Sequence, residues 1–267
     1  MGTADTPAEQ GRPDPVISIR GLHKSFNGNH VLRGIDLDVY TGETVSIFGN
    51  SGCGKSTLIK HLMGLLRPDS GEIMVKGKNF TKMSRRDLQS FRLNLGVVFQ
   101  SAALLNSMSV KDNIGLPLKE HTSKTDDEIR KIAVEKLNMV FLDESILDLK
   151  PDSLSGGMRK RVGIARALAL DPEIILYDEP TTGLDPVIAQ GINELIVAVQ
   201  EKLNVTSIVI THDIPGAKFI SDRMAMLFRG KIEEDLPPDD IEKSTSKAVQ
   251  QLLNAETEGP LTEDLKD

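Results

Sequence analysis

The sequence predicts an α/β fold in which a mostly parallel sheet is covered on both faces by helices. A smaller antiparallel sheet lies beside it, and a helical stretch interrupts it. Three observations carry this expectation. The nearly continuous apolar runs Gly96-Val-Val-Phe99, Ile174-Ile-Leu-Tyr177 and Ser207-Ile-Val-Ile210 suit strands buried on both faces. The alternation in Val16-Ile-Ser-Ile-Arg20 and Ile35-Asp-Leu-Asp-Val39 suits half-exposed strands, and Gly71-Glu-Ile-Met-Val-Lys76 continues it. Helical periodicity appears at about 126–139, 155–170 and 187–202.

In chain order, residues 1–15 are polar, hold three prolines and lack an apolar h-region, so a disordered tail without a secretory signal is expected. The apolar run Val45 to Phe48 leads into a glycine-rich loop and then a helical pattern from Leu58 to Leu65. No buried strand is visible between Ser101 and Ser153, which places a helical insertion at about 101–160. The main domain is expected to span 16–237. Residues 238–267 form an acidic extension with a short amphipathic segment (Ile241, Val249, Leu252, Leu253) and then a loose tail. No internal repeat appears, so one nucleotide-binding unit is expected.

Composition narrows the function classes. With 39% hydrophobic and 27% charged residues, the 267-residue chain suits a soluble globular domain. No apolar run approaches the roughly 20 residues of a membrane-spanning helix. The single cysteine, Cys53, excludes an internal disulfide and fits a reducing compartment. A net charge of −7 argues against a polyanion-binding surface, so no nucleic-acid partner is expected.

Chemistry concentrates first in Gly49-Asn50-Ser51-Gly52-Cys53-Gly54-Lys55-Ser56-Thr57, a GxxxxGK[ST] loop in the strand–loop–helix context that this motif needs. Its glycines let successive N–H groups face phosphate oxygens, and the helix dipole favours the anion. Lys55 is placed to reach the β- and γ-phosphates, and the Ser56 hydroxyl to ligate Mg²⁺. Cys53 reads as a small filler, with redox control as the alternative. The strand Ile174 to Tyr177 ends in Asp178-Glu179, where Asp178 can hold Mg²⁺ and Glu179 can polarise the attacking water.

Ser155-Gly156-Gly157 opens a second helix start suited to anions. Arg159, Lys160 and Arg161 follow in the first turn, where the helix dipole disfavours cations. Two readings stand: an anion docks nearby, or the three form a solvated basic face tied to surface carboxylates. Two phosphate-type helix starts with one nucleotide fingerprint imply two copies arranged head-to-tail, each closing the other's site. Gln100, at a strand end, could touch both Mg²⁺ and the water, or be an ordinary strand-end amide. His212, at another strand end, could meet a γ-phosphate or orient Glu179. Asp185 could serve the nucleotide or simply cap the helix that follows it.

Together these residues resemble the ATP-binding cassette ATPases over about residues 16–233. Gly49–Thr57 is similar to their Walker A loop, Gln100 to the Q-loop and Leu154–Gly157 to the signature. Ile174–Glu179 is similar to Walker B, Gly183–Pro186 to the D-loop and Thr211-His212 to the switch histidine. Phe26 stands where the family stacks an aromatic ring on adenine. The resemblance implies a P-loop (RecA-like) core, an antiparallel β-subdomain, a helical signature subdomain, ATP and Mg²⁺ as cofactors, and a sandwich dimer. ATP would close the dimer and hydrolysis reopen it. Gln100 and the loop Ser101 to Asn113 would pass the motion to a permease.

LSGGMRKR, with methionine where most cassettes carry glutamine, resembles the ATPases of Mla/Mce-type lipid transporters. So do Phe99 to Ile114, Leu116-Pro-Leu118, Glu120-His-Thr122 and His212-Asp-Ile-Pro215. That likeness implies phospholipid transport, a permease in the inner membrane, a small regulatory subunit and a periplasmic lipid-binding Mce-type protein. The chain itself would sit on the cytoplasmic face, with 238–267 able to contact the partner subunit. Thr181-Thr-Gly-Leu-Asp185 departs from the best-known phospholipid system and matches the commoner cassette form. The rival expectations are a polar-solute importer and a non-transport cassette ATPase.

Overall fold

The computed structural model describes residues 14–263. The expected N-terminal tail therefore lies outside the described residues except for Asp14 and Pro15, as do residues 264–267 of the C-terminal segment. Strands β1 (Ile17–Phe26) and β2 (Asn29–Val39) form a hairpin. Its turn, Asn27-Gly28, holds both residues at positive φ (51° and 83°). That pair of residue types matches the twist of paired strands at little strain. β3 (Thr44–Phe48) and α1 (Lys55–Leu62) flank the glycine-rich loop. β4 (Ser70–Val75) and β5 (Lys78–Asn79) complete the antiparallel sheet, ordered β2-β1-β4-β5.

After α2 (Arg85–Arg92) and β6 (Leu95–Val98) the chain leaves the sheet for α3 (Val110–His121), α4 (Asp126–Met139) and α5 (Gly156–Ala167). Each of these three helices starts at a hydroxyl cap: Ser109 and Ser155 accept from the amides of Asp112 and Met158. Thr125 and Glu128 form a reciprocal capping box. The chain then returns through β7 (Ile174–Asp178), α6 (Pro186–Leu203), β8 (Thr206–Ile210) and α7 (Ile214–Ile220). It ends in β9 (Arg223–Phe228), β10 (Lys231–Leu236) and α8 (Lys247–Leu253).

The main sheet runs β10-β9-β3-β8-β7-β6, parallel throughout except for β10 at its edge. Its continuous apolar runs follow from burial on both faces. Ile175 and Tyr177 of β7 enter one core with the helical insertion, whereas Ile174 and Leu176 enter another with α1 and the antiparallel sheet. The α/β core, antiparallel sheet and helical insertion are thus all present. β9 and β10 are additions to the strands expected from sequence, although Met224-Ala-Met-Leu227 is fully buried.

The C-terminal extension, as far as it is described, packs on its own chain. Ile241 and Val249 are buried in a third cluster with Phe48, Met224 and Met226, and Leu261 packs against its edge. The Leu261 amide donates to Gln251 Oε1 at 2.8 Å, and Glu263 pairs with Arg229 at 3.2 Å. Apolar side chains spaced along the extension hold it on its own chain.

Candidate nucleotide site

Four neighbouring strands, β3, β8, β7 and β6, end on one edge of the sheet, and each carries a candidate residue past its last pairing. Ile47 pairs with Ile210, Asp178 with Ile210 and Val98 with Tyr177. Just beyond these come Gly49, Thr211-His212, Glu179 and Gln100. This is the carboxyl edge where parallel sheets place their ligands.

The loop Gly49–Thr57 needs its glycines for different reasons. A Cβ on Gly49 (φ 154°) would sit 2.2 Å from the Leu227 carbonyl oxygen. Gly52 and Gly54 hold φ of 81° and 114°, which L side chains rarely adopt. Gly54 opens α1 with no side-chain cap on the first-turn amides, leaving them for a ligand. Lys55 is buried, and its Nζ donates to the carbonyls of Gly49 at 2.8 Å and Asn50 at 3.0 Å. Ser51, Gly52 and Ser56 face outward. Burial pushes the Cys53 thiol pKa up, against the opposing charge of Lys55. A protonated, buried thiol is a poor nucleophile, which favours the filler reading.

Glu179 holds a left-handed backbone, φ 50°, with its amide donating to the Ile210 carbonyl at 2.8 Å. Its Oε2 lies 2.6 Å from His212 Nδ1 and accepts from Thr182 Oγ1 at 3.1 Å. The carboxylate is largely covered, at 14% exposure, while His212 is open at 64%. Burial, and then the neighbouring Glu179, push the pKa of Asp178 up, with Lys60, Lys55 and Lys160 opposing. A carboxylate crowded in this way is relieved by a cation. Asp178, the Ser56 hydroxyl and the Gln100 amide would offer the kind of oxygen donors that Mg²⁺ prefers. Thr182 is a site residue that the sequence does not single out; its only signal there is membership of the Thr181–Asp185 turn.

Ser155 is exposed and its Oγ accepts only locally, from the Met158 amide at 3.2 Å. Gly157 is required by packing, since a Cβ there would meet Ile188 Cγ2 at 2.6 Å. Of the three cations that follow, Arg159 is exposed, Arg161 half-buried and Lys160 buried. Arg159 donates to the Leu154 carbonyl at 2.5 Å and Arg161 to Val140 at 3.2 Å. Lys160 donates to Gln100 at 2.5 Å and Glu179 at 3.3 Å, so all three serve backbone oxygens. Asp185 caps α6, its Oδ1 accepting the amides of Val187 and Ile188, both at 3.1 Å. Phe26 ends β1 at 43% exposure, with Lys24 Nζ 5.4 Å from its ring centroid.

Comparison with known proteins agrees with this geometry. Residues 32–182 match the family model for ABC transporters. The chain is 42% identical over 248 residues to the probable ribonucleotide transport ATP-binding protein mkl of Mycobacterium leprae, covering 92% of this chain and 71% of that one. It is 37% identical over 246 residues to the intermembrane phospholipid transport system ATP-binding protein MlaF of Haemophilus influenzae, covering 92% and 93%. A solved ATP-binding cassette, in a dimeric post-hydrolysis state with ADP and Pi, superposes with a TM-score of 0.76 at 34% identity. That match covers 83% of this chain and 98% of the other. With the phosphate loop, the paired carboxylates and the histidine on one sheet edge, the chain belongs to the ABC transporter family as its ATP-binding, ATP-hydrolysing cassette.

Proposed function

We propose that this cassette works as a head-to-tail homodimer that energises a lipid-moving permease in an Mla/Mce-type system. Each ATP would lie between Gly49–Thr57 of one subunit and Ser155–Gly157 of its twin. Lys55 binds the β- and γ-phosphates. Ser56, Gln100 and Asp178 would hold Mg²⁺, which neutralises phosphate charge when bound. Glu179 polarises the attacking water, and His212 fixes the carboxylate in place. Asp185 would join the dimer contact while capping α6, and Phe26 would stack on the base. The observation that carries the hydrolytic reading is the 2.6 Å contact of His212 with Glu179 beside the phosphate loop.

For the permease, a groove of about 600 Å³ lies between β6 and the helical insertion, bordered by Leu95, Phe99, Leu105, Leu116 and Arg166. Phe99 and Leu105 are exposed there, at 37% and 44%, which suits an amphipathic helix from a membrane subunit. Among the described residues no helix is long and apolar enough to cross a membrane. The lipid reading rests on the likeness to MlaF and on Met158 in LSGGM. A regulatory subunit and a periplasmic Mce-type protein belong to that reading, as does a place on the cytoplasmic face of the inner membrane. The likeness to mkl, named for ribonucleotide transport, favours a polar-solute carrier as the second reading. Tagging the chain, isolating the intact membrane complex and identifying co-purified molecules by mass spectrometry tests both. Bound phospholipid with headgroup-dependent ATPase stimulation is expected, and stimulation by a polar solute alone would overturn the lipid assignment.

A further inference from the structure

Lys160 lies in the first turns of α5, the helix that begins at exposed Ser155, yet it is only 6% exposed. Its two acceptors are the main-chain oxygens of Gln100 and Glu179, residues that follow β6 and β7 at the nucleotide edge. A buried ammonium normally pairs with a carboxylate, because desolvation is costly otherwise. Here it donates to neutral carbonyls, while Glu179 and Asp178 contribute only through their field.

The backbone that it grips is unusual. Glu179 holds φ 50°, and Ala102 and Ala103, just past Gln100, hold 60° and 49°. Non-glycine residues stay in that region only where their surroundings hold them. One stripe of α5 does the holding. A Cβ on Gly163 would lie 3.1 Å from Ala102 Cβ, and Arg166 donates to the carbonyls of Ala102 at 2.8 Å and Ala103 at 2.7 Å. Positions 160, 163 and 166 fall on one helical face.

We propose that Lys160 is a positioning residue for hydrolysis. Through the carbonyls of Gln100 and Glu179, it ties the helix that reaches the partner's ATP to the carboxylate of its own site, so that the two sites of the dimer act together. The coupling rests on the head-to-tail arrangement proposed above. When Ser155 meets the partner's nucleotide, α5 shifts as a rigid rod. The movement is then delivered to Glu179 within a few ångströms of its working place.

The test uses the full chain. Lys160→Met keeps the buried stem and removes the ammonium, while Lys160→Arg keeps charge and donors. For Lys160→Met, kcat is expected to fall on the order of 10–100-fold, as for a small displacement of a catalytic group. Its KM for ATP and melting temperature should stay near wild type, and its Hill coefficient for ATP should fall to unity from above it. Lys160→Arg should recover part of kcat and of the cooperativity. A folded Lys160→Met with wild-type kcat overturns the proposal. So does lowered kcat with cooperativity intact, because the lysine would then act within one site only. If Lys160→Met does not fold, wild-type kcat in Lys160→Gln gives the same refutation. Failure of the dimer reading shows separately, in the wild type, as rates strictly linear in protein concentration and no cooperativity.

Discussion

Helices α1 and α5 both begin at glycine-rich turns of the kind that bind phosphate, but the chain completes only the first. At α1 the cap is Gly54 in a left-handed conformation with no side-chain oxygen on the first amides. Lys55 arches back over the loop, and Gly49 fits against the Leu227 carbonyl so closely that no other residue could stand there. At α5 the cap is Ser155, which satisfies the Met158 amide itself, and its three cations are all turned to backbone oxygens. The α1 start is a finished cradle. The α5 start faces solvent with an exposed hydroxyl at Ser155 and a half-buried Gly156. On the proposed head-to-tail arrangement, a site divided in this way would bind nucleotide alone but act only when two copies meet.

The largest expected effect breaks chemistry away from binding. Glu179→Gln keeps the shape, and its amide can still meet Thr182 and His212, but it cannot serve as a base. ATP turnover should fall by about 10²–10⁴-fold while ATP stays bound. The ATP-loaded dimer should then accumulate, visible as a doubled mass in size-exclusion chromatography with light scattering. Near wild-type turnover would remove Glu179 as the water-polarising group and leave the α1 cradle a binding site only.

Next in size is Ser155→Ala, which separates the two helix starts directly. Losing the cap should cost about 1 kcal/mol of stability. Losing the hydroxyl at the partner's phosphate should lower hydrolysis by roughly tenfold or more, as for a lost charge-assisted hydrogen bond. Equilibrium binding of a fluorescent ATP analogue to dilute chain should not change, because the monomer uses only the α1 cradle. If binding to dilute chain fell in parallel with hydrolysis, Ser155 would belong to its own subunit's site.

The two starts are not equally legible in the sequence. The α1 cradle is contiguous, so its glycine spacing, its lysine and its flanking apolar run are all readable from the residues alone. The pairing of Glu179 with His212 is half legible, since each ends an apolar strand and the order β8-β7 brings those ends together. Lys160 is not legible. A lysine beside two arginines looks solvated, and only the packing of α5 against the loop after Gln100 buries it. Strands β9 and β10 are less legible, because the short apolar run Met224–Leu227 suits a buried helix as well as a strand and β10 is mostly charged. The stretch after the amphipathic segment looks loose because its apolar residues are sparse. Ile241, Val249 and Leu261 are far apart in the chain and meet only in the third cluster.

The smallest effect concerns Phe26, which lies on the antiparallel sheet and belongs to the cradle side of the comparison. Its ring ends β1 half-exposed, and Lys24, paired with Asp69 at 2.8 Å, holds its ammonium 5.4 Å from the ring centroid. Stacking on a base is worth about 0.5–1.5 kcal/mol, so Phe26→Ala should weaken ATP binding by roughly 2–10-fold. Every purine offers a π-face of similar character, so GTP should lose the same factor and the ATP-to-GTP preference should not move. Isothermal titration of both nucleotides against wild type and Phe26→Ala measures this. Because a ring stacked on the base would act in binding and not at the γ-phosphate, kcat at saturating ATP should be unchanged. A preference that shifts with the substitution would mean that the base is read by hydrogen bonds anchored through this ring. The cradle side would then select its nucleotide as well as hold it.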